Sequence, residues 1–248
     1  MAKIFVDPSA VGEEYIRIDE KDVVHHLARV LRIKKGEKLE ISDGLKWEYK
    51  TDVEEISERE ILCKITDKQA HASEPEVRVT LFQGFPKASK MELIIQKCVE
   101  LGIDTVVPVY MDRSVVVDKG KDSKKAERWQ KIADEASSQC RRGRLTNVKL
   151  PLKFADVLPL ADEFDLFLFP YENEDGYSIK DALTEFKKKG IKDAKIAMII
   201  GPEGGFSDKE ADKLRKIEVR PVSLGKTILR TETAGMAALA MIMYEMEL

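Results

Sequence analysis

Two glycine-bearing turns near the C-terminus constrain this chain more than any other feature. The first reads Ile199-Ile200-Gly201-Pro202-Glu203-Gly204-Gly205-Phe206-Ser207, the second Val222-Ser223-Leu224-Gly225-Lys226-Thr227-Ile228-Leu229-Arg230-Thr231-Glu232-Thr233-Ala234. Each leaves a short apolar run and leads into a helix start, the kind of junction where open α/β sheets hold their ligand crevice. In the first turn, residues 197–200 suit a buried strand. Gly201, Gly204 and Gly205 let the chain turn sharply and let a ligand approach the backbone, while Pro202 stiffens the turn. Ser207, with Glu210 three residues on, predicts a capping box. The second turn repeats the plan: 222–224 as strand, Gly225 as pivot, and Thr231 or Thr233 as cap of a final helix. Either turn alone is as well explained as an ordinary connection. Two together predict one site for a small, partly polar ligand.

Two familiar glycine motifs are excluded. Gly225-Lys226-Thr227 resembles the end of a phosphate-binding P-loop, but Arg220 stands where that motif needs its first glycine. Gly201, Gly204 and Gly205 lack the G-x-G-x-x-G spacing and lie late in the chain, so a dinucleotide site is not supported.

The 248 residues can form one large domain or two modest ones, and 43% hydrophobic residues can bury a core. The charged fraction, 35%, predicts a heavily charged surface of the kind found in heat-adapted proteins. Lys3 and Asp7 interrupt any leading apolar run, so no signal peptide is expected, and the apolar stretch 237–244 is too short to span a membrane. Cys63, Cys98 and Cys140 form no C-x-x-C pair and no cluster with histidine. No metal site or disulfide framework is expected, and a reducing cytoplasm fits. A net charge of −3 argues mildly against nucleic-acid binding. The local distribution argues for it: Arg29, Arg32, Lys34, Lys35 and Lys38 crowd one segment, Lys119, Lys121, Lys124 and Lys125 a second, and Arg141, Arg142 and Arg144 a third. Arginine, which binds phosphate bidentately, makes the third more telling than the lysine run, which reads as well as a solvated surface.

Along the chain, residues 1–70 read as mostly β. Strands are expected at 3–6, 14–18, 38–42, 47–54 and 60–66, with Asp43-Gly44 as a hairpin signal and one helix over 22–30. The polar, proline-bearing stretch 71–76 reads as a linker. From 77 to 248 strands and helices alternate: strands at 77–82, 105–109, 164–169, 195–200 and 220–224, helices at 89–101, 124–140 and 231–247. Such alternation implies an α/β fold with a mostly parallel sheet. The final helix is apolar nearly all round, so it must pack either in its own core or against a second subunit.

The turn GPEGGFS followed by L-G-x-x-I-L-R-T-E-T-A resembles the ribosomal RNA small subunit methyltransferase E family, the bacterial uridine-N3 methyltransferases of the SPOUT superfamily. Further matches run upstream in order: Lys87-Ala88-Ser89-Lys90-Met91-Glu92, Lys97-Cys98-Val99-Glu100-Leu101-Gly102, Arg113-Ser114-Val115, the helix from Glu127, and His25-His26-Leu27 to Arg32 and Gly36. Lys226-Thr227 replaces the family's Pro-Arg, and Gly143-Arg144-Leu145-Thr146 replaces a Val-Pro pair after Arg142, so a side-chain contact in the cofactor loop and an RNA-facing loop are expected to differ. The resemblance implies a PUA-like RNA-binding β-barrel over 1–70 and a SPOUT domain over 77–248, with a C-terminal trefoil knot and a homodimer.

It also implies S-adenosylmethionine as cofactor and 16S rRNA or the 30S subunit as partner, with no metal and no membrane. On this reading Ile200, Gly201, Pro202, Gly204, Gly205, Leu224, Gly225, Ile228, Leu229 and Thr233 bind the cofactor, together with a third loop at Pro170-Tyr171-Glu172-Asn173. Arg230 is the candidate to stabilise a uridine anion, and Glu203 either orients the loop or acts as base. Arg29, Arg32, Arg113 and Arg142 are candidates for RNA contact. The competing readings are another SPOUT enzyme, such as a tRNA ribose 2′-O methyltransferase, and an RNA-binding protein without catalysis.

Overall fold

The computed structural model describes residues 3–70, 74–115, 120 and 122–247. The chain divides into two compact units, Met1–Glu74 with Ser137–Leu145, and Pro75–Ala136 with Thr146–Leu248.

The first unit is a curled five-stranded sheet. Its strands are β1 (Ile4–Phe5), β2 (Tyr15–Ile18), β3 (Lys38–Ser42), β4 (Trp47–Ile56) and β5 (Ile61–Ala70), in the order β1-β3-β4-β5-β2. The β1–β3 pair is parallel and the others are antiparallel. Polar–apolar alternation puts Ile16, Ile18, Leu39, Ile41, Val53, Ile61 and Cys63 into one core. Helix α1 (Lys21–His25) runs into a π-helical turn, His26–Val30, that closes the core with Val24 and Leu27 and leaves Arg29 exposed. The Asp43-Gly44 signal does make a hairpin. Gly44 takes φ +69°, and the Asp43 carboxylate accepts the N–H groups of Leu45, Lys46 and Trp47 at 2.9, 2.8 and 2.9 Å.

The second unit holds seven strands: β6 (Arg78–Gly84), β7 (Thr105–Tyr110), β8 (Asn147–Val148), β9 (Leu152–Lys153), β10 (Leu166–Pro170), β11 (Lys195–Ile200) and β12 (Arg220–Val222). Every pairing is parallel, as the alternation predicts. The order is β12-β10-β11-β6-β7-β8, with β9 also paired to β7. The helices are α2 (Lys90–Glu100), α3 (Asp122–Gln139), α4 (Phe154–Val157), α5 (Ile179–Lys187), α6 (Asp208–Lys216) and α7 (Thr231–Glu247). Strand β11 lies at the centre and is buried from Ile196 to Ile200, which is why its sequence is a continuous apolar run. Helix α7 packs on α2 and α5 and against the sheet, burying Gly235, Ala238, Leu239 and Ile242, with Gly235 turned to Leu81, Gln83 and Ile200. It leaves Met241 and Tyr244 exposed, so the all-round apolar pattern is only partly covered within the chain.

Candidate functional site

Neighbouring parallel strands carry the two glycine turns and the third loop, because β12, β10 and β11 stand side by side in the sheet. Their C-terminal loops close around a cavity of about 480 Å³. Loop 201–207 supplies Gly201, Pro202, Glu203, Gly204 and Gly205, with Ile200 behind them. The loop after β12 supplies Leu224, Gly225, Ile228, Leu229 and Arg230, and the loop after β10 supplies Pro170, Tyr171 and Glu172. Thr233 does not line the cavity but sits exposed on α7, whereas Thr231 and Ala234 of the same helix do line it.

The first turn is fixed from several directions. Ser207 Oγ accepts the Glu210 N–H at 3.2 Å, and Glu210 returns the bond from the Ser207 N–H at 2.9 Å, completing the expected capping box. Phe206 is buried and meets Phe169 edge-on at 5.5 Å. Gly204 is required by packing within the chain: a Cβ there would stand 2.9 Å from Arg113 Cβ. Gly205 combines φ +68° with a Glu172 oxygen 2.6 Å from where its Cβ would be. The sequence predicts that these glycines let a ligand approach the backbone, and Gly201, Gly204 and Gly205 all line the cavity. At Gly204 and Gly205 the space that a Cβ would need is also taken by Arg113 and Glu172, residues distant in sequence.

Thr231 corrects a second expectation. It begins α7 and does not cap it. Its hydroxyl donates to Gly201 O at 2.6 Å and accepts from Gln83 Nε2 at 2.9 Å, joining β6, the first glycine turn and α7 beneath the cavity.

Glu203 is heavily committed. It accepts the Lys87 N–H at 3.0 and 3.2 Å and lies 3.1 Å from Lys90 Nζ, which also lies 3.1 Å from Glu232. Burial pushes the Glu203 carboxyl up, but the Lys87 and Glu203 N–H groups and the Lys90 ammonium outweigh it and hold it below its ordinary value. Glu232 is lowered by its own backbone N–H at the helix start and by Lys90, against the opposing effect of burial. Lys90 is raised by its hydrogen bonds to Glu203 and Glu232. Arg230 is exposed on the cavity lining and makes no ion pair within 4 Å among the described residues. Lys90 and Glu174 also line the cavity and were given no role by the sequence reading.

The four arginines offered to RNA have different fates. Arg113 is exposed but turns one guanidinium nitrogen to Gly204 O at 3.0 Å. Arg29 and Arg32 are exposed, Arg29 only 4.0 Å from Glu58 at its nearest and Arg32 in a left-handed conformation, φ +52°. Arg142 is buried and bidentate to Glu74, at 3.0 Å from Nε and 2.8 Å from Nη2, so its guanidinium does not face solvent. Glu74 also accepts the Gly143 and Arg144 N–H groups. The reading of Arg142 as an RNA contact is therefore corrected: sequence shows its charge, not its burial. Lys119 and Lys121 lie outside the described residues.

A parallel sheet whose C-terminal loops enclose such a cavity, in a chain that also carries a five-stranded β unit, defines the class. An RNA methyltransferase domain model matches residues 73–243, and an RNA methyltransferase PUA domain model matches residues 18–66. The ribosomal RNA small subunit methyltransferase E of Bacillus subtilis is 33% identical over 91% of this chain and 88% of its own length. A Legionella pneumophila protein solved with the cofactor S-adenosylmethionine is 27% identical, with a TM-score of 0.83 over 98% of this chain and 97% of that one. A ribosomal RNA small subunit methyltransferase E of Neisseria gonorrhoeae bound to S-adenosylmethionine shares the fold, with a TM-score of 0.85, 24% identity and coverage of 98% and 97%. This chain belongs to the ribosomal RNA small subunit methyltransferase E family.

Proposed function

We propose that this chain transfers the methyl group of S-adenosylmethionine to N3 of a uridine in 16S rRNA, within the small ribosomal subunit. The observation that carries the reading is the single cavity formed by loops of three adjacent parallel strands, with an exposed arginine on its wall. Its volume suits a nucleoside-sized ligand, since small-molecule sites run to about 300–1,000 Å³. Its lining combines the apolar side chains of Leu224, Ile228 and Leu229 with backbone of the glycine turns and the carboxylates of Glu172 and Glu174. That set suits a ligand with an aromatic base, hydroxyls and an amino group.

When bound, S-adenosylmethionine supplies a methyl already activated by its sulfonium. What the protein must do is orient the acceptor and manage the proton. A bond forms from N3 to the methyl carbon, the bond from that carbon to sulfur breaks, and the N3 proton passes to solvent or a base. Arg230 is placed to stabilise negative charge on the uracil ring as that proton leaves. Glu203, tied to Lys87 and Lys90, fits the role of holding the turn better than that of a base, since its carboxyl is kept ionised by its partners. Arg29 and Arg32, both exposed on the first unit, are the candidates there to meet phosphate. The homodimer rests on the superfamily resemblance and on the exposed Met241 and Tyr244 of α7.

Calorimetric titration of the wild type and Arg230→Ala with S-adenosylmethionine tests the site. One-to-one binding retained by the variant, with transfer to small subunits lost, is expected. Absence of binding by folded wild-type protein would overturn the cofactor assignment.

A further inference from the structure

The segment Lys87 to Lys90 has no chemical step in methyl transfer as described above, yet it combines strained backbone with a lysine on the cavity wall. Ala88 takes φ +54°, a left-handed conformation that a residue with a side chain keeps only where its surroundings enforce it. The enforcing contacts converge on one carboxylate. On one side of Ala88, the Lys87 N–H donates to both Glu203 oxygens, at 3.0 and 3.2 Å; on the other, Lys90 Nζ lies 3.1 Å from Glu203 Oε1. The same ammonium lies 3.1 Å from Glu232 Oε2, in the first turn of α7. Strand β6, which leads into this segment, ends so close to the glycine turn that a Cβ on Gly84 would stand 2.7 Å from the Pro202 nitrogen.

Three elements thus meet at one cation: the connection after β6, the glycine turn after β11 and the start of α7. The Glu203 and Glu232 oxygens bound to it are no more than about 6 Å apart, where like charges repel unless a cation stands between them. The three side chains are 30%, 24% and 16% exposed, so the group is partly shielded, unlike the solvated surface pairs that contribute little.

We propose that Lys90 is a positioning residue, a latch that ties the glycine turn at Glu203 to α7 at Glu232 and so sets Arg230, two residues before Glu232, against the cavity. The latch rests on the reading of this cavity as the S-adenosylmethionine site. Its strained approach through Ala88 is the mark of a segment held in place by the contacts it makes.

The test uses the full chain and two readouts: hydrogen exchange of the Lys87 amide without ligand, and calorimetric affinity for S-adenosylmethionine. In Lys90→Met, Lys87 is expected to exchange at least about tenfold faster and the cofactor to bind at least about tenfold more weakly. Lys90→Arg, which keeps both ion pairs, is expected to stay close to wild type. Lys90→Met combined with Glu232→Gln removes the repulsion and is expected to recover most of the affinity. Exchange and affinity both within about twofold of wild type in Lys90→Met would overturn the latch. So would weakened binding with unchanged exchange and no recovery in the double variant, since the ammonium would then act on the ligand directly. If Lys90→Met does not fold, Lys90→Gln, which keeps most of the stem, reads the same two quantities. If wild-type protein does not bind S-adenosylmethionine, the cofactor assignment fails, and exchange at Lys87 still decides the latch.

Discussion

Arg230 and Glu203 line the same cavity with opposite commitments. Glu203 is bound by Lys87 and Lys90, whereas Arg230 has no ion-pair partner among the described residues. Arg230→Ala is therefore expected to lower the transfer rate by about 10²–10³ while leaving S-adenosylmethionine affinity within about twofold, the pattern of an interaction made mainly in the transition state. Single-turnover rates beside calorimetry check this. Glu203 and Glu232 both have carboxyls lowered in the folded protein, so what they contribute is present above the ordinary glutamate range and is lost as pH falls through their lowered values. Cofactor affinity is expected to be flat from neutral pH down to about 5 and to fall below about 4. The Glu74–Arg142 pair obeys the same sign: burial pushes Glu74 up, and Arg142 with the Arg144 and Gly143 N–H groups brings it below its usual value. Glu74→Gln removes the carboxylate charge that pairs with the buried Arg142 guanidinium, and a loss of about 3–5 kcal/mol in denaturant unfolding is expected. None of this was legible for Arg142 in the sequence, where Arg141, Arg142 and Arg144 look alike. Folding separates them by burial.

At the scale of elements, what depends on near neighbours in the chain was readable. Ser207 and Glu210 are three residues apart and form the box their spacing predicts. Strand β11 follows its apolar run, 195–200, without a residue's difference. Helix α5 carries the same kind of signal, Ser178 with Asp181, and is not among the helices expected above. What depends on distant partners was not readable. Thr231 looks like a cap and instead bonds Gln83 and Gly201, and Gly204, which lines the cavity, also accommodates Arg113. Gly204→Val is accordingly expected to displace Arg113 and cost about 1–3 kcal/mol of stability, so it is a poor probe of ligand binding alone. Helix α6 offers a cleaner substitution. Glu218, just past its end, takes φ +60°, where glycine is favoured. Glu218→Gly is expected to stabilise by about 0.5–1 kcal/mol and raise Tm by about 1–4 °C by calorimetry, without effect on the cavity.

At the scale of the whole molecule, alternation of strands and helices gave the parallel sheet, and short polar–apolar strands gave the β unit. Strand order was not legible, and it is the order that builds the site. Only because β12, β10 and β11 are neighbours do three loops far apart in sequence face one cavity. The return of Ser137–Leu145 to the first unit is likewise a product of contacts that no composition shift marks. The exposed Met241 and Tyr244 on α7 predict a dimer: light scattering after gel filtration is expected to give twice the chain mass, and Tyr244→Asp to shift it toward one. The central claim concerns the product. Small subunits incubated with the protein and methyl-labelled S-adenosylmethionine, then digested to nucleosides and resolved by mass spectrometry, are expected to yield labelled 3-methyluridine from 16S rRNA. Label on a ribose 2′-oxygen, on another base, or on no nucleoside at all would contradict it.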